Sequence, residues 1–212
     1  MKGILWVGMA CLAAAIASST SAQTAQEILE KARKKYDSLD DAELKFIQTT
    51  RFPVSHLEQR LSGSLQMKKG NHYRVETDDM VVVTDGETVW SYSRANNQVL
   101  IDRFKMDDRG FSPERILAAA PGEFVATLIG KEKVGAVETA ILKLIPSGEP
   151  GFVKSLKLWI ADVDHLTRKA ELVDANGKET TYQVSDLRVN TGLTDARFSY
   201  TAPEGADVVD LR

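Results

Sequence analysis

Short runs in which apolar and polar residues alternate, separated by turn-forming pairs, dominate the sequence from residue 41 onward. Ala42, Leu44 and Phe46 are spaced by two, which places their side chains on one face of a strand. The pairs Asp85-Gly86 and Asn176-Gly177 each separate two such runs, and these pairs favour tight hairpins. Repetition of the pattern predicts an antiparallel meander of about eleven short strands.

The predicted strands and the first helix follow from the change in spacing along the chain. Thr24 followed by Glu27 is a capping box, and apolar residues then recur at helical spacing as far as Tyr36, which predicts an amphipathic helix. The predicted strands cover residues 42–47, 61–67, 73–75, 80–83, 88–93, 98–103, 134–145, 152–161, 169–173, 180–187 and 198–201.

A second helical segment interrupts the strands near the middle of the chain. Ser112-Pro113 is a typical helix start and predicts a short helix through Ile116 and Leu117. Pro121-Gly122 ends that helix. Residues 123–129 are expected to form a further short turn or helix.

A single antiparallel sheet of this size must curl to bury its apolar face. We therefore expect a mainly β (α+β) fold, an incomplete barrel with helices over its apolar face. Two interpretations of the interior stay open: an ordinary filled core, or a cavity between sheet and helices. Since aromatic residues make up only 7% of the chain, a cavity lined in this way would suit flexible acyl chains better than planar ligands.

The first twenty-two residues have the layout of a secretory signal peptide. Met1-Lys2 precedes an apolar run from Ile4 to Ala17, and the small residues Thr20 and Ala22 flank a cut before Gln23. The run of about 14 residues is shorter than the ~20 that span a bilayer. We expect residues 1–22 to be cleaved on export and residues 23–212 to form one domain.

The composition excludes several classes of protein. A net charge of −3 and a pI near 5.7 argue against a nucleic-acid binder. The single cysteine, Cys11, lies inside the apolar leader, so we expect no disulfide in the exported chain. His56, His72 and His165 lie in separate runs without metal-ligand spacing, and the chain lacks a Gly-x-Ser-x-Gly motif. We expect neither an enzyme nor a cofactor.

Five stretches, in chain order, resemble the LolA family of periplasmic carriers of outer-membrane lipoproteins. They are LKFIQ (44–48), GSLQMKKGNHYRVE (63–76), VVVTDGETVWSYS (81–93), LKLWIADVDHLTRKAELVDANGKETTYQ (156–183) and FSYTAPEGADVVD (198–210). The resemblance implies an incomplete antiparallel barrel with a helical lid over a hydrophobic cavity. It also implies a monomer in the periplasm that takes acylated lipoproteins from an inner-membrane ABC exporter (LolCDE-like) to an outer-membrane acceptor (LolB-like).

A lipid- or lipoprotein-sensing regulator of the same fold is the alternative. Such regulators carry an additional C-terminal domain, for which we expect no room in a chain that ends at Arg212.

The resemblance also implies which residues contact the acyl chains. The predicted lid residues are Tyr36, Ile116 and Leu117. The resemblance implies the sheet residues Phe46, Leu65, Met67, Tyr73, Val75, Val82, Trp90, Leu156 and Leu158. The period-two alternation adds Leu44 and Ile160 to this predicted apolar face. At the position of the arginine that holds the lid closed in well-studied members, this chain has Lys69. Lysine lacks the planar guanidinium fork, so Lys69 is either a modified latch or a solvated turn residue.

Overall fold

The computed structural model describes residues 24–105, 117, 122–148 and 151–212. The predicted signal peptide, the predicted helix start at Ser112-Pro113 and the predicted lid residue Ile116 lie outside the described residues.

The N-terminal helix, α1, spans Ala25–Ser38 and begins with the predicted capping box. The Thr24 hydroxyl accepts a hydrogen bond from the Glu27 backbone N–H, and the Glu27 carboxylate accepts one from the Thr24 N–H. This reciprocal pair satisfies two backbone donors that a helix start otherwise leaves unpaired. The buried face of α1 carries Ile28, Leu29, Ala32 and Tyr36.

Twelve strands occupy most of the described chain. They are β1 (Asp41–Arg51), β2 (Glu58–Lys68), β3 (His72–Thr77), β4 (Met80–Asp85), β5 (Thr88–Ser93), β6 (Gln98–Arg103), β7 (Phe124–Val134), β8 (Val137–Pro146), β9 (Val153–Ala161), β10 (Thr167–Asp174), β11 (Glu179–Val189) and β12 (Asp207–Asp210).

All twelve strands belong to one sheet in the order β12-β6-β5-β4-β3-β2-β1-β11-β10-β9-β8-β7. Neighbouring strands are antiparallel except that β12 runs parallel to β6. Since β12 and β7 end the order, the described sheet is open. The prediction of a mainly β fold built on an incomplete, curled antiparallel sheet is confirmed.

Three local predictions were wrong. The predicted short turn or helix over 123–129 is wrong from Phe124 onward, because residues 124–129 lie in strand β7. The predicted strand 134–145 is two elements, because Gly135, with φ of 62°, turns the chain between β7 and β8. Asp195–Phe198 is a 3-10 turn rather than the start of the last strand, and the last strand, β12, lies further along the chain.

The inner face of the sheet, defined as the face that carries Leu44 and Leu158, has two apolar regions. In the first, Ile28, Leu29 and Ala32 of α1 pack on side chains of β8, β9 and β10. The second region lies on β1, β2 and β11. A third apolar cluster lies on the opposite, outer face of β4, β5 and β6, under the C-terminal segment.

Candidate functional site

A cavity of about 210 Å³ lies on the inner face beside the second apolar region. Five strands and one residue of the predicted second helix form its wall. The lining residues are Leu44, Phe46, Gln48, Leu65, Tyr73, Val75, Val82, Leu117, Tyr182 and Val184. Seven of the predicted acyl-contact residues therefore surround one space: Leu44, Phe46, Leu65, Tyr73, Val75, Val82 and Leu117.

Strand register explains why these residues meet. Leu44 on β1 pairs with Leu65 on β2, and Leu65 pairs with Val75 on β3. Val75 in turn pairs with Val82 on β4. Directly paired residues of antiparallel strands point to the same face, so this row forms a continuous aliphatic wall across four strands.

Gly63 leaves room for the Phe46 ring in that wall. The two residues are paired in register, and a Cβ atom at position 63 would lie 2.6 Å from Phe46 Cζ and 2.5 Å from the Glu76 carbonyl oxygen. Because such distances are shorter than van der Waals contact allows, only glycine lets the ring lie against β2. Tyr182 packs edge-on against the same ring, with centroids 6.3 Å apart.

A buried hydrogen-bonded group connects Leu117 to α1 and β10. The Thr167 hydroxyl donates to the Leu117 carbonyl oxygen at 2.7 Å, and the Thr167 backbone N–H donates to the Tyr36 hydroxyl at 3.4 Å. Burial raises the pKa of Tyr36 to about 12, so this tyrosine stays neutral. Thr167 therefore connects Leu117 to Tyr36 through two neutral hydrogen bonds.

Three of the predicted contact residues lie outside the cavity wall and under helix α1. Leu156, Leu158 and Ile160 belong to the cluster that packs on Ile28 and Leu29, and Leu158 has no exposed surface. They share the inner face with the cavity, but α1 covers them as a packed core.

Trp90 lies on the outer face, which corrects the prediction that it faces the cavity. It pairs with Val83, whereas the cavity residue Val82 pairs with Ser91. Because neighbouring residues of a strand point to opposite faces, Trp90 packs with the outer cluster and with Tyr200 of the C-terminal segment.

Met67, Tyr36 and Lys69 border a second groove of about 250 Å³ beside the end of α1. Lys69 Nζ lies 2.9 Å from Asp40 Oδ1, and more than half of each side chain is exposed. The Lys69 backbone N–H also donates to the Asp40 carbonyl oxygen at 3.1 Å. Lys69 thus ties the β2–β3 turn to the end of α1, and whether it acts as a latch stays a prediction.

Sequence reasoning missed Gln48, Tyr182 and Val184 as cavity residues. Gln48 and Tyr182 are paired across β1 and β11, as are Phe46 and Val184. The alternation on β11 was visible in the sequence, but only the pairing of β11 with β1 brings these side chains into the wall. Burial raises the pKa of Tyr182 to about 12, so its hydroxyl is neutral.

The cavity wall carries neither ionised side chains nor a metal-ligand set among its lining residues. Within the described ranges, groups of three or more His, Cys, Asp and Glu side chains placed to hold a metal ion are absent. A helix long and apolar enough to cross a membrane is likewise absent from residues 24–105, 117, 122–148 and 151–212.

The sequence profile of a family described as "Outer membrane lipoprotein carrier protein LolA" matches residues 37–201. This range includes every strand from β1 to β11. The chain belongs to the LolA family. It is also 26% identical over 211 residues to an outer-membrane lipoprotein carrier protein of Methylibium petroleiphilum, covering 98% of each chain.

Two further proteins are similar to this LolA-family chain, one in sequence and one in structure. An uncharacterized protein of Methanocaldococcus jannaschii, MJ0687, is 23% identical over 200 residues, which cover 91% of this chain but only 56% of that protein. A crystal structure of an uncharacterized conserved protein from Thermus thermophilus superposes with a TM-score of 0.59 at 19% identity, covering 88% of this chain and 98% of that one.

Proposed function

We propose that this LolA-family protein is a periplasmic carrier that binds the acyl chains of lipoproteins released from the inner membrane and delivers them to the outer membrane. The observation that carries the proposal is the aliphatic cavity on the inner face, whose wall is built by paired residues of β1 to β4 and β11. The matched carrier relatives support the same role.

The physical basis of binding is the transfer of acyl methylenes from water into this wall. Each buried CH₂ contributes about 0.8 kcal/mol to the free energy of binding, so the cavity binds even a partly inserted acyl chain. A cavity of about 210 Å³ is smaller than the roughly 300–1,000 Å³ of typical small-molecule pockets. Uptake of whole acyl chains therefore requires the cavity to widen. The energy of that widening weakens net binding and so favours release to an acceptor.

The proposed partners follow from this cycle. An inner-membrane ABC exporter of the LolCDE type supplies the lipoprotein, and a LolB-type acceptor receives it where one exists. In this cycle the carrier acts as a monomer in the periplasm.

The test is extraction of a lipoprotein from inner-membrane vesicles. The chain is purified from the periplasmic fraction of expressing cells and mixed with energised vesicles that contain the exporter and a triacylated lipoprotein. We expect a soluble one-to-one complex after the vesicles are removed. A lipoprotein whose acylated cysteine is replaced by serine is the matched control, and its equal recovery would contradict acyl-dependent binding.

Two variants test whether extraction of the lipoprotein depends on the cavity. Leu65→Asp places a carboxylate in the aliphatic wall and should abolish complex formation, whereas Val54→Asp makes the same change at a side chain that is 92% exposed and should not. Circular dichroism and urea unfolding establish that each variant is folded. Extraction by folded Leu65→Asp at the level of the parent chain would contradict the proposal.

A further inference from the structure

One end of the cavity wall is polar. The two strands that form it, β1 and β11, change from apolar to polar residues at paired positions. Along the inner face of β1, the apolar residues Leu44 and Phe46 are followed by Gln48 and Thr50. On the neighbouring strand β11, Val184 pairs with Phe46, Tyr182 with Gln48 and Thr180 with Thr50. The wall therefore divides into an aliphatic part and an adjoining polar part across two paired strands.

The polar residues at the boundary are hydrogen-bond donors. Gln48 and Tyr182 line the cavity itself, and one Gln48 Nε2–H donates to the Thr50 hydroxyl at 3.1 Å. A glutamine amide has two N–H donors, and the Thr50 hydroxyl takes one of them. The second Gln48 N–H is thus a neutral donor at this end of the cavity wall.

Neutral donors beside an aliphatic wall match a particular ligand chemistry. The carbonyl oxygen of an acyl ester accepts hydrogen bonds and carries no charge, and it lies where an acyl chain joins its polar head. A free fatty acid, by contrast, would bring an ionised carboxylate into a wall without a cationic partner, which is costly.

We propose that the Gln48 amide binds the ester carbonyl of an acyl chain and so fixes the direction in which the chain enters. The tail then lies along Leu44, Leu65 and Val75, and the head points toward the β1–β2 hairpin. This inference rests on the proposed function, because it assigns a direction and a head-group chemistry to the same acyl site.

The experiment compares two lipids that differ only at the ester. Lauroyl lysophosphatidylcholine has an ester carbonyl, and its 1-O-dodecyl ether analogue has a CH₂ in that place. Both are titrated into the purified chain below their micelle-forming concentrations. Because a net hydrogen bond contributes about 0.5–1.5 kcal/mol, we expect the ester to bind about two- to tenfold more tightly than the ether.

Gln48→Leu should bring the ester-to-ether affinity ratio close to one. The matched control is Gln183→Leu, the same substitution at an exposed residue whose neighbours Tyr182 and Val184 face inward, so its ratio should equal that of the parent chain. Gln48→Met keeps an unbranched side chain of similar length but has no N–H donor, and it provides a second test of the lost ester preference if Gln48→Leu does not fold.

The possible outcomes separate the two proposals. Equal binding of ester and ether by the parent chain, or an ester preference that survives in folded Gln48→Leu or Gln48→Met, overturns the assignment of the ester site while acyl binding stands. Failure of the parent chain to bind either lipid counts against the proposed function itself.

Discussion

Shortening two leucines on the same face of the sheet to alanine distinguishes a packed core from a cavity wall. Leu158 is fully buried, and so are its strand partners Ala170 and Leu142. Leu65 is also buried, at 4% exposure, but it borders the cavity. The two residues therefore lose different numbers of neighbouring atoms when each is shortened to alanine.

The expected costs follow from these surroundings. Leu→Ala in a close-packed core costs about 2–5 kcal/mol, and the value rises with the volume of the new void. We expect Leu158→Ala to cost about 4 kcal/mol, because α1 and three strands surround the side chain. We expect Leu65→Ala to cost about 2 kcal/mol, because one side of this leucine already faces empty space and has fewer contacts to lose.

Equilibrium urea unfolding, followed by circular dichroism, measures both costs. At an unchanged m-value, the shift in midpoint reports the change in the free energy of unfolding. A chain of this size loses about 2–4 °C in Tm per kcal/mol, so thermal unfolding should show the same order. A cost for Leu65→Ala equal to or greater than that for Leu158→Ala would refute the reasoning, since it would mean that the space beside Leu65 is filled.

Three further perturbations test single interactions. Thr167→Val removes the donor to the buried Leu117 carbonyl and should cost about 1–3 kcal/mol in urea unfolding, and a cost below about 0.5 kcal/mol would contradict this. Burial raises the pKa of Asp41, but its hydrogen bonds from residues 191–193 outweigh that effect and lower the pKa below the ordinary 3.8. That stabilisation is present above pH 3.8 and is lost as the pH falls through the folded-state pKa. Asp41→Asn should therefore be less stable than the parent at pH 7 and approach it as the pH falls through the folded-state pKa of Asp41, so a stability gap that is constant with pH would be the contrary result. Lys69→Ala breaks an exposed ion pair and should change stability by less than about 1 kcal/mol, whereas a larger, salt-insensitive loss would show that Lys69 holds the end of α1 in place.

Much of the fold was predictable because local chemistry and global packing agree there. The capping box at Thr24 and the helical spacing to Tyr36 define α1. The Asp85-Gly86 and Asn176-Gly177 pairs place two of the hairpins as predicted. The aliphatic row from Leu44 was visible as a period of two in the sequence.

The errors occurred where the sequence lacks a local signal for the structure. The turn before β8 consists of Gly135 and one further residue. Because this turn is so short, the sequence on both sides of it was predicted as one strand. Strand β12 forms only because the end of the chain pairs with β6. The local alternation of apolar and polar residues carries no signal for a pairing between such distant segments.

The cavity residues likewise divide into those that the local sequence pattern predicted and those that depend on distant pairings. The alternation predicted which side chains of β1 to β4 share a face. Trp90, which only the resemblance implied as a contact, lies on the opposite face, because it pairs with Val83 and not with the cavity residue Val82. The packing of Leu158 under α1, and the pairing of Gln48 with Tyr182, depend on the relative placement of elements that are distant in sequence.

Photo-cross-linking from within the cavity tests the central claim, that acyl chains bind between β1, β2, β3 and β11. A photoreactive benzoylphenylalanine replaces Val75 in the wall, or Thr181, which lies next to Tyr182 in the sequence and points to the opposite face. Each variant is mixed with a purified triacylated lipoprotein and irradiated, and the site of attachment is found by mass spectrometry. The account predicts adducts on the acyl chains from position 75 and not from position 181. Equal adducts from both positions, or the same yield with a lipoprotein that lacks acyl chains, would contradict it.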